Sequence, residues 1–597
     1  MCGIAGIWSD GQRLDLAAVV HRMNGVQVHR GPDGQGVWLS KAGHVCLGHT
    51  RLSILDLSEL GKQPMAYGER YTITYSGEIY NYLELREELL GKGYVFRTRT
   101  DTEVLLAAYH AYGHAMLEKL DGMFAFVLFD EEKNELFGAR DRFGEKPLFY
   151  SNRNDDFLFA SEIKALKAGG LNGVVSEKMM YNYLANDLVE NPCDQSETFY
   201  ANIRKLKPAH YFVYSNHAFK EHCYWQMEVG ASEEFSSAEL GMRMRELLHQ
   251  SVLRRLRADV RIGASLSGGL DSSAVVAMMA DLHAEARTYS ARFHNFHHDE
   301  GYYVNIISKK YNLHHVDVYV DENNLLRDLS KLMYHQEEPF QTGSIYAQFC
   351  VYEAARADGI VVMLDGQGAD EYQCGYVKDF KWYLRELLFD RPSYHQFINE
   401  VRLSHDLALS LSFRDVLTQV LPRLAKTAAE WKRSLLPFRT PGISQEFNRT
   451  YGRMASPFSE FSSLKEALCH QMTHQGLEKL LRFADRNAMA HSLEVRLPYL
   501  SHELVAFVMS LHSRFLLAGG WSKSIMRTGM KGVLPDEIVW RRHKIGFEVP
   551  EDQWMNNPAA IELAYSSKRA LMARGFINDQ YAQTWKCINA GMFLGDI

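Results

Sequence analysis

The sequence predicts a two-domain protein of α/β and α+β class. A sheet-rich, largely antiparallel domain is expected over residues 1–220, and an α/β domain on a doubly wound parallel sheet with a helical insertion over residues 236–597. Three observations carry that expectation. At 597 residues the chain exceeds what one hydrophobic core usually holds. Up to about residue 220 its apolar segments are short and broken by Gly, Asn and Asp, as short strands and turns require. Beyond that point, strand-length apolar runs alternate with helix-length ones, the sequence pattern of a parallel sheet covered by helices on both faces.

In the first part, Thr72–Tyr75, Phe124–Phe129, Glu135–Ala139, Pro147–Tyr150 and Phe157–Ala160 read as strands. Glu228–Ser237, with Gly230, Ser232 and several acids, reads as the linker. Strand Val260–Leu266 then leads into a helix Ser272–His283, strand Thr288–Phe293 into a helix around Val304–Lys310, and strand His315–Val320 into helices over 323–336 and 344–357. The wholly apolar run Ile360–Leu364 closes the series. Residues 377–470 have a helical texture and no legible chemistry.

A hydrophobic fraction of 46% with 23% charged residues is ordinary for a folded globular chain. The net charge of -7, with Lys and Arg dispersed, gives no electrostatic reason to expect nucleic acid or an anionic membrane surface. Small molecules are the expected partners, and a homodimer is left open. Eight cysteines without CxxC spacing point to reduced thiols, and no apolar run approaches the roughly 18 residues of a membrane span, so a cytoplasmic location is expected. The pairs His297-His298 and His314-His315 lack companion ligands at zinc-site spacing and read as packed or solvated histidine.

Ser267-Gly268-Gly269-Leu270-Asp271-Ser272-Ser273 joins an apolar strand to an apolar helix. Alone, it fits a plain strand-to-helix turn as well as a phosphate cradle. Small residues and glycines let backbone approach phosphates, and the helix N-terminus supplies N–H donors and a positive dipole end. A second glycine turn, Asp365-Gly366-Gln367-Gly368-Ala369-Asp370-Glu371, ends the later apolar strand, and both turns then fall at carboxyl ends of strands, where open α/β sheets bind ligands. GxxxxGK[ST] is absent, which excludes the usual loop for γ-phosphate transfer. Asp271 and Asp370 are candidate Mg²⁺ ligands, since hard cations take carboxylate oxygen; a cap or turn role is the alternative for each.

These residues resemble the pyrophosphate loop of ATP pyrophosphatases, which attach AMP to a substrate and release pyrophosphate. With Leu480–Leu500, Trp521-Ser522-Lys523 and Trp540–Phe547, the second part resembles the synthetase half of glutamine-hydrolysing asparagine synthetases. The resemblance implies ATP and Mg²⁺, with Ser267, Gly268, Gly269, Ser272, Asp365 and Gly366 around the nucleotide and adenine against backbone near Leu266 and Ala291. It implies that Lys523 and Lys544 contact the phosphates, Lys544 stabilising charge as pyrophosphate leaves.

At the N-terminus, Met1-Cys2-Gly3 places a thiol beside an α-amine that removal of Met1 would free. A terminal amine, with a pKa near ~8, can relay the thiol proton without a histidine. His29–Gly34, Gly48–Ile54, Ser76–Asn81, Thr100–Glu103 and Arg140–Leu148 follow in the order found in class II, N-terminal-nucleophile glutamine amidotransferases, which implies the sandwich fold of that class. It further implies Cys2 as nucleophile, Arg51 on the glutamine carboxylate, Glu78 and Asp101 on its α-amine side, and the Gly77 N–H on the oxyanion.

Four positions depart from the pattern. Ser76 stands where the family's Asn supplies the second oxyanion donor, Gln367 stands in place of a Glu proposed to handle the ammonia proton, and Ala484 and Ser501 replace acids. Asp365 or Glu371 could take over the role lost at Gln367. Ser76 predicts a weak glutaminase with ammonia-dependent synthesis largely intact. The leading expectation is asparagine synthesis from aspartate, ATP and glutamine. Amidation of another carboxylate, such as a sugar acid or a natural-product intermediate, is the second reading, and a non-catalytic or regulatory homologue is the third.

Overall fold

The computed structural model describes residues 2–10, 15–153, 156–230, 236–285, 287–405, 407–412, 415–416, 440–452, 461, 463–542 and 548–595. Much of the expected helical stretch 377–470 therefore lies outside the described residues, as do half of the expected linker and Lys544.

Among the described residues, twelve strands occupy the first part: β1 Gly3–Ser9, β2 Gly34–Leu39, β3 Val45–Arg51, β4 Met65–Tyr67, β5 Tyr71–Ile79, β6 Gly122–Asp130, β7 Glu135–Arg140, β8 Phe149–Arg153, β9 Asp156–Ala160, β10 Arg204–Lys205, β11 His210–Ser215 and β12 Ala218–Cys223. They form two six-stranded antiparallel sheets, β10-β8-β9-β1-β3-β2 and β12-β11-β7-β6-β5-β4. Period-2 alternation decides what each face meets. Ile4 and Trp8 of β1 point into the layer between the sheets, with Val127, Phe129, Phe157 and Phe212. Ala5 and Ile7 point outward beneath helices Leu16–Gly25 and Ile163–Ala168. Helices Tyr82–Gly91 and Asp101–Tyr112 cover the outer face of the other sheet, giving four layers, helix–sheet–sheet–helix.

The strand expected from Pro147 starts at Phe149. Proline has no N–H to give a ladder, so pairing begins beyond it. Ser237, expected in the linker, instead opens a 19-residue helix to Arg255. Ser236 caps it, and Glu239 completes a reciprocal capping box.

The second part holds one parallel sheet of five strands: β13 Ile262–Ser265, β14 Arg287–Arg292, β15 His314–Tyr319, β16 Val362–Leu364 and β17 Glu494–Arg496, in the order β15-β14-β13-β16-β17. The order reverses between β13 and β16, so the turns after these two strands lie side by side at the switch point of a doubly wound sheet. Strand β17, three residues after a long helix, was not expected.

The two parts share cores. Leu52, Ile54, Tyr80, Met123 and Phe143 pack with Leu240, Met244 and Leu248 of helix Ser237–Arg255. Helix Glu177–Asn186 buries Met179, Met180 and Tyr183 against Leu325, Leu329 and Ile588. The contact also buries charge: Arg30, fully inaccessible, reaches Asp485 at 2.8 and 3.2 Å and Glu162 at 3.1 Å, and Glu478 receives Arg140 at 2.7 Å and Lys205 at 2.9 Å. Among the described residues, no helix is long and apolar enough to cross a membrane.

Candidate active sites

Cys2 precedes β1 and lies in a cleft with Arg51, Leu52, Gly77, Glu78 and Asp101. Five of the six residues expected around glutamine therefore share one pocket. Gly77 is required there: its φ is +152, and a Cβ would stand 2.1 Å from the Met123 carbonyl oxygen. The Cys2 Sγ lies 3.9 Å from the Leu52 carbonyl oxygen, and burial pushes its thiol pKa up. A buried neutral thiol needs a base to become a nucleophile. Arg51 donates to the carbonyls of Asp56 at 2.5 Å and Ser58 at 2.7 Å, which holds its guanidinium at the pocket wall.

The sixth residue, Ser76, does not line the cleft. Its hydroxyl donates to the Cys2 carbonyl oxygen at 2.7 Å.

Both acids of the cleft are raised above the ordinary carboxylate range. Asp101 accepts from the Tyr75 hydroxyl at 2.7 Å and the Ile79 N–H at 2.9 Å, yet burial raises its pKa to about 6. Glu78 is driven higher, first by burial and then by Glu494. Arg496 is 2.6 Å from Glu494 but 3.5 Å from Glu78, and the Glu494 pKa is lowered against the effect of its burial, first by the terminal amine and then by Arg496. No local pattern marks Tyr75, Glu494 or Arg496 as partners of this pocket. They reach it only through tertiary folding.

At the switch point, Leu266, Ser267, Gly269, Asp271, Ser272, Ala291, Asp365, Gly366 and Asp370 line one cavity of about 240 Å³. Gly268 lies just behind it with φ +69, where a Cβ would meet the Tyr303 Cβ at 2.6 Å. The Asp271 and Asp370 carboxylates converge on one cation, the ammonium of Lys523, at 2.5 Å each. His298, Glu300 and Glu548 complete the rim, with His298 2.7 Å from Glu548 and Arg541 2.8 Å from Glu300. Burial raises the pKa of Asp365 and Glu371, Asp370 adding to the effect at Glu371. Gln367, which also lines the cavity, carries no charge. The two sites are joined through β17, because the Asp365 N–H donates to the Arg496 carbonyl at 3.0 Å while the Arg496 side chain meets Glu78.

The family profile described as a glutamine amidotransferase domain matches residues 1–225, and that described as asparagine synthase matches residues 243–585, more than half of the chain. The chain belongs to the asparagine synthase family. "Asparagine synthetase [glutamine-hydrolyzing] 1" of Bacillus subtilis is 31% identical over 578 residues, covering 93% of this chain and 88% of that protein. "Asparagine synthetase [glutamine-hydrolyzing] 3" of the same organism is 29% identical, covering 91% and 86%. "Amidase chry2" of Gibberella zeae is 27% identical, covering 93% and 88%.

Within the synthase family pattern, the departures at Ala484 and Ser501 are buried positions of the second part rather than cavity residues. Of the other two departures, Gln367 lies in the switch-point cavity and Ser76 is hydrogen-bonded to the Cys2 backbone. Among the described residues, no group of three or more His, Cys, Asp and Glu is arranged to hold a metal by itself. Two carboxylates facing one point are what a cation delivered with a nucleotide needs.

Proposed function

We propose that the chain makes asparagine from aspartate and ATP, drawing nitrogen from glutamine, with residues 1–220 carrying the glutaminase and residues 236–597 the synthetase. What supports this best is the pairing, in one chain, of an N-terminal thiol pocket with two acids that converge at the switch point of a parallel sheet.

In the first site, Cys2 attacks the glutamine side-chain carbonyl, and the thiol proton passes to the α-amine freed by removal of Met1. The Gly77 N–H donates to the oxyanion, Arg51 takes the substrate carboxylate, and ionised Asp101 holds its ammonium with Glu78 behind it. Collapse expels ammonia, and water cleaves the thioester to give glutamate and regenerate the thiol.

In the second site, an aspartate carboxylate oxygen attacks the α-phosphorus of ATP and pyrophosphate leaves. Ammonia then adds to the acyl-adenylate carbonyl; AMP departs and a proton is released. Ser267, Gly268, Gly269 and Ser272 cradle phosphate at the helix N-terminus, and Lys523 and Lys544 neutralise it. Asp271 and Asp370 would hold Mg²⁺, which supplies charge neutralisation on the leaving pyrophosphate.

Pyrophosphate release measured against a set of carboxylates tests the acceptor. Release that depends on aspartate supports asparagine synthesis. Release with a different carboxylate only would favour the second reading, to which Gln367 in the cavity lends support.

A further inference from the structure

We propose that Lys523 is a built-in stand-in for the metal: with no nucleotide bound, its ammonium occupies the point between Asp271 and Asp370 where Mg²⁺ would sit, so the divalent cation enters only together with ATP. The inference rests on reading the cavity as an ATP site.

The geometry is specific. Each carboxylate has an oxygen 2.5 Å from the same nitrogen, so the two oxygens are at most ~5 Å apart, whereas oxygens sharing one octahedral Mg²⁺ at about 2.0–2.1 Å stand roughly 3–4 Å apart. A small closure converts one arrangement into the other. Two acids this close repel one another unless a cation lies between them. Lys523, 3% exposed, is a cation that lies there among the described residues.

Its backbone is fixed for that purpose. Lys523 adopts φ 54 and ψ 35, a left-handed conformation uncommon for lysine, and its N–H donates to the Gln373 carbonyl at 3.1 Å, tying it to the turn that bears Asp370. The side chain is flexible where the backbone is not. With Mg²⁺·ATP present, Asp271 and Asp370 would hold the dication and the Lys523 ammonium would turn to the phosphate oxygens. One lysine thus serves both states. A free divalent cation must displace a tethered competitor without offering phosphate in return.

Mn²⁺ binding followed by electron paramagnetic resonance, with and without α,β-methylene-ATP, tests this on the full chain. Wild type should bind no Mn²⁺ tightly at the site alone and one Mn²⁺ with nucleotide. Lys523→Met should bind one Mn²⁺ without nucleotide, its affinity rising about tenfold or more over wild type. Its lowered melting temperature should recover on adding Mn²⁺. Should that variant fail to fold, Lys523→Gln, which keeps a polar group between the acids, carries the same measurement. Tight nucleotide-free Mn²⁺ binding by wild type, or no gain in the variant, overturns the inference. Failure of wild type to bind the nucleotide at all would instead sink the ATP reading.

Discussion

The Ser76 hydroxyl is bound to the backbone of Cys2: Oγ donates to the Cys2 carbonyl oxygen at 2.7 Å rather than facing the cleft. In the proposed glutaminase step the oxyanion is then left with the Gly77 N–H as its backbone donor. Removing one oxyanion donor typically costs about 10²–10³ in turnover, so what Ser76 does is measurable. Ser76→Ala should lower glutamine hydrolysis by less than about tenfold, because only an anchor to Cys2 is lost. Ser76→Asn, adding a longer donor, should raise it by about tenfold or more. Ammonia-dependent synthesis should not change in either variant.

The role proposed for Asp101 predicts a pH limit on glutamine use. Its carboxyl, raised to about 6 chiefly by burial, must be ionised to hold an ammonium. Protonation as pH falls through that value removes the charge, so the KM for glutamine should rise steeply below about pH 6 while kcat with ammonium does not follow it. Asp101→Asn should show a high glutamine KM at every pH and no such inflection. Initial rates across pH 5–8 with each nitrogen source check both.

Arg30 and Asp485 hold the two halves together across 455 residues of sequence. Arg30→Met leaves Asp485 and Glu162 buried beside fewer cations. Breaking a buried pair from one side typically costs about 3–5 kcal/mol. The first unfolding transition in urea should move to markedly lower denaturant in the variant. An unchanged midpoint would mean that Lys146, 3.8 Å from Asp485, and Arg486, 2.9 Å from Glu162, already satisfy the acids.

What sequence could and could not express follows from range. The turns after β13 and β16, the Cys2 segment and the strands of the first sheets are written in consecutive residues, and the residues expected around glutamine and nucleotide gather accordingly, apart from Ser76, whose hydroxyl turns to the Cys2 carbonyl, and Lys544, which lies outside the described residues. The signal for helix Ser237–Arg255 was present as Ser236 with Glu239 and was submerged in an acidic, Gly- and Ser-containing stretch. Strand β17 is three residues long, too short for alternation to register. The Glu78–Arg496–Glu494 cluster and the Arg30–Asp485 pair join residues hundreds of positions apart and follow no period. Ser76 was legible as a departure, but the direction of its hydroxyl was not, because a rotamer is set by neighbours that only the fold supplies.

The central claim is that one chain moves nitrogen from glutamine onto a carboxylate primed by cleavage of ATP between its α- and β-phosphates. Incubation with ATP, Mg²⁺, aspartate and glutamine labelled with ¹⁵N at the amide, read by mass spectrometry, tests it directly. The account predicts AMP, pyrophosphate and ¹⁵N-asparagine in equal amounts, with Cys2→Ala forming labelled product from ¹⁵N-ammonium only. ADP and orthophosphate as the nucleotide products, or no ¹⁵N in the amide formed by the unaltered chain, would contradict it.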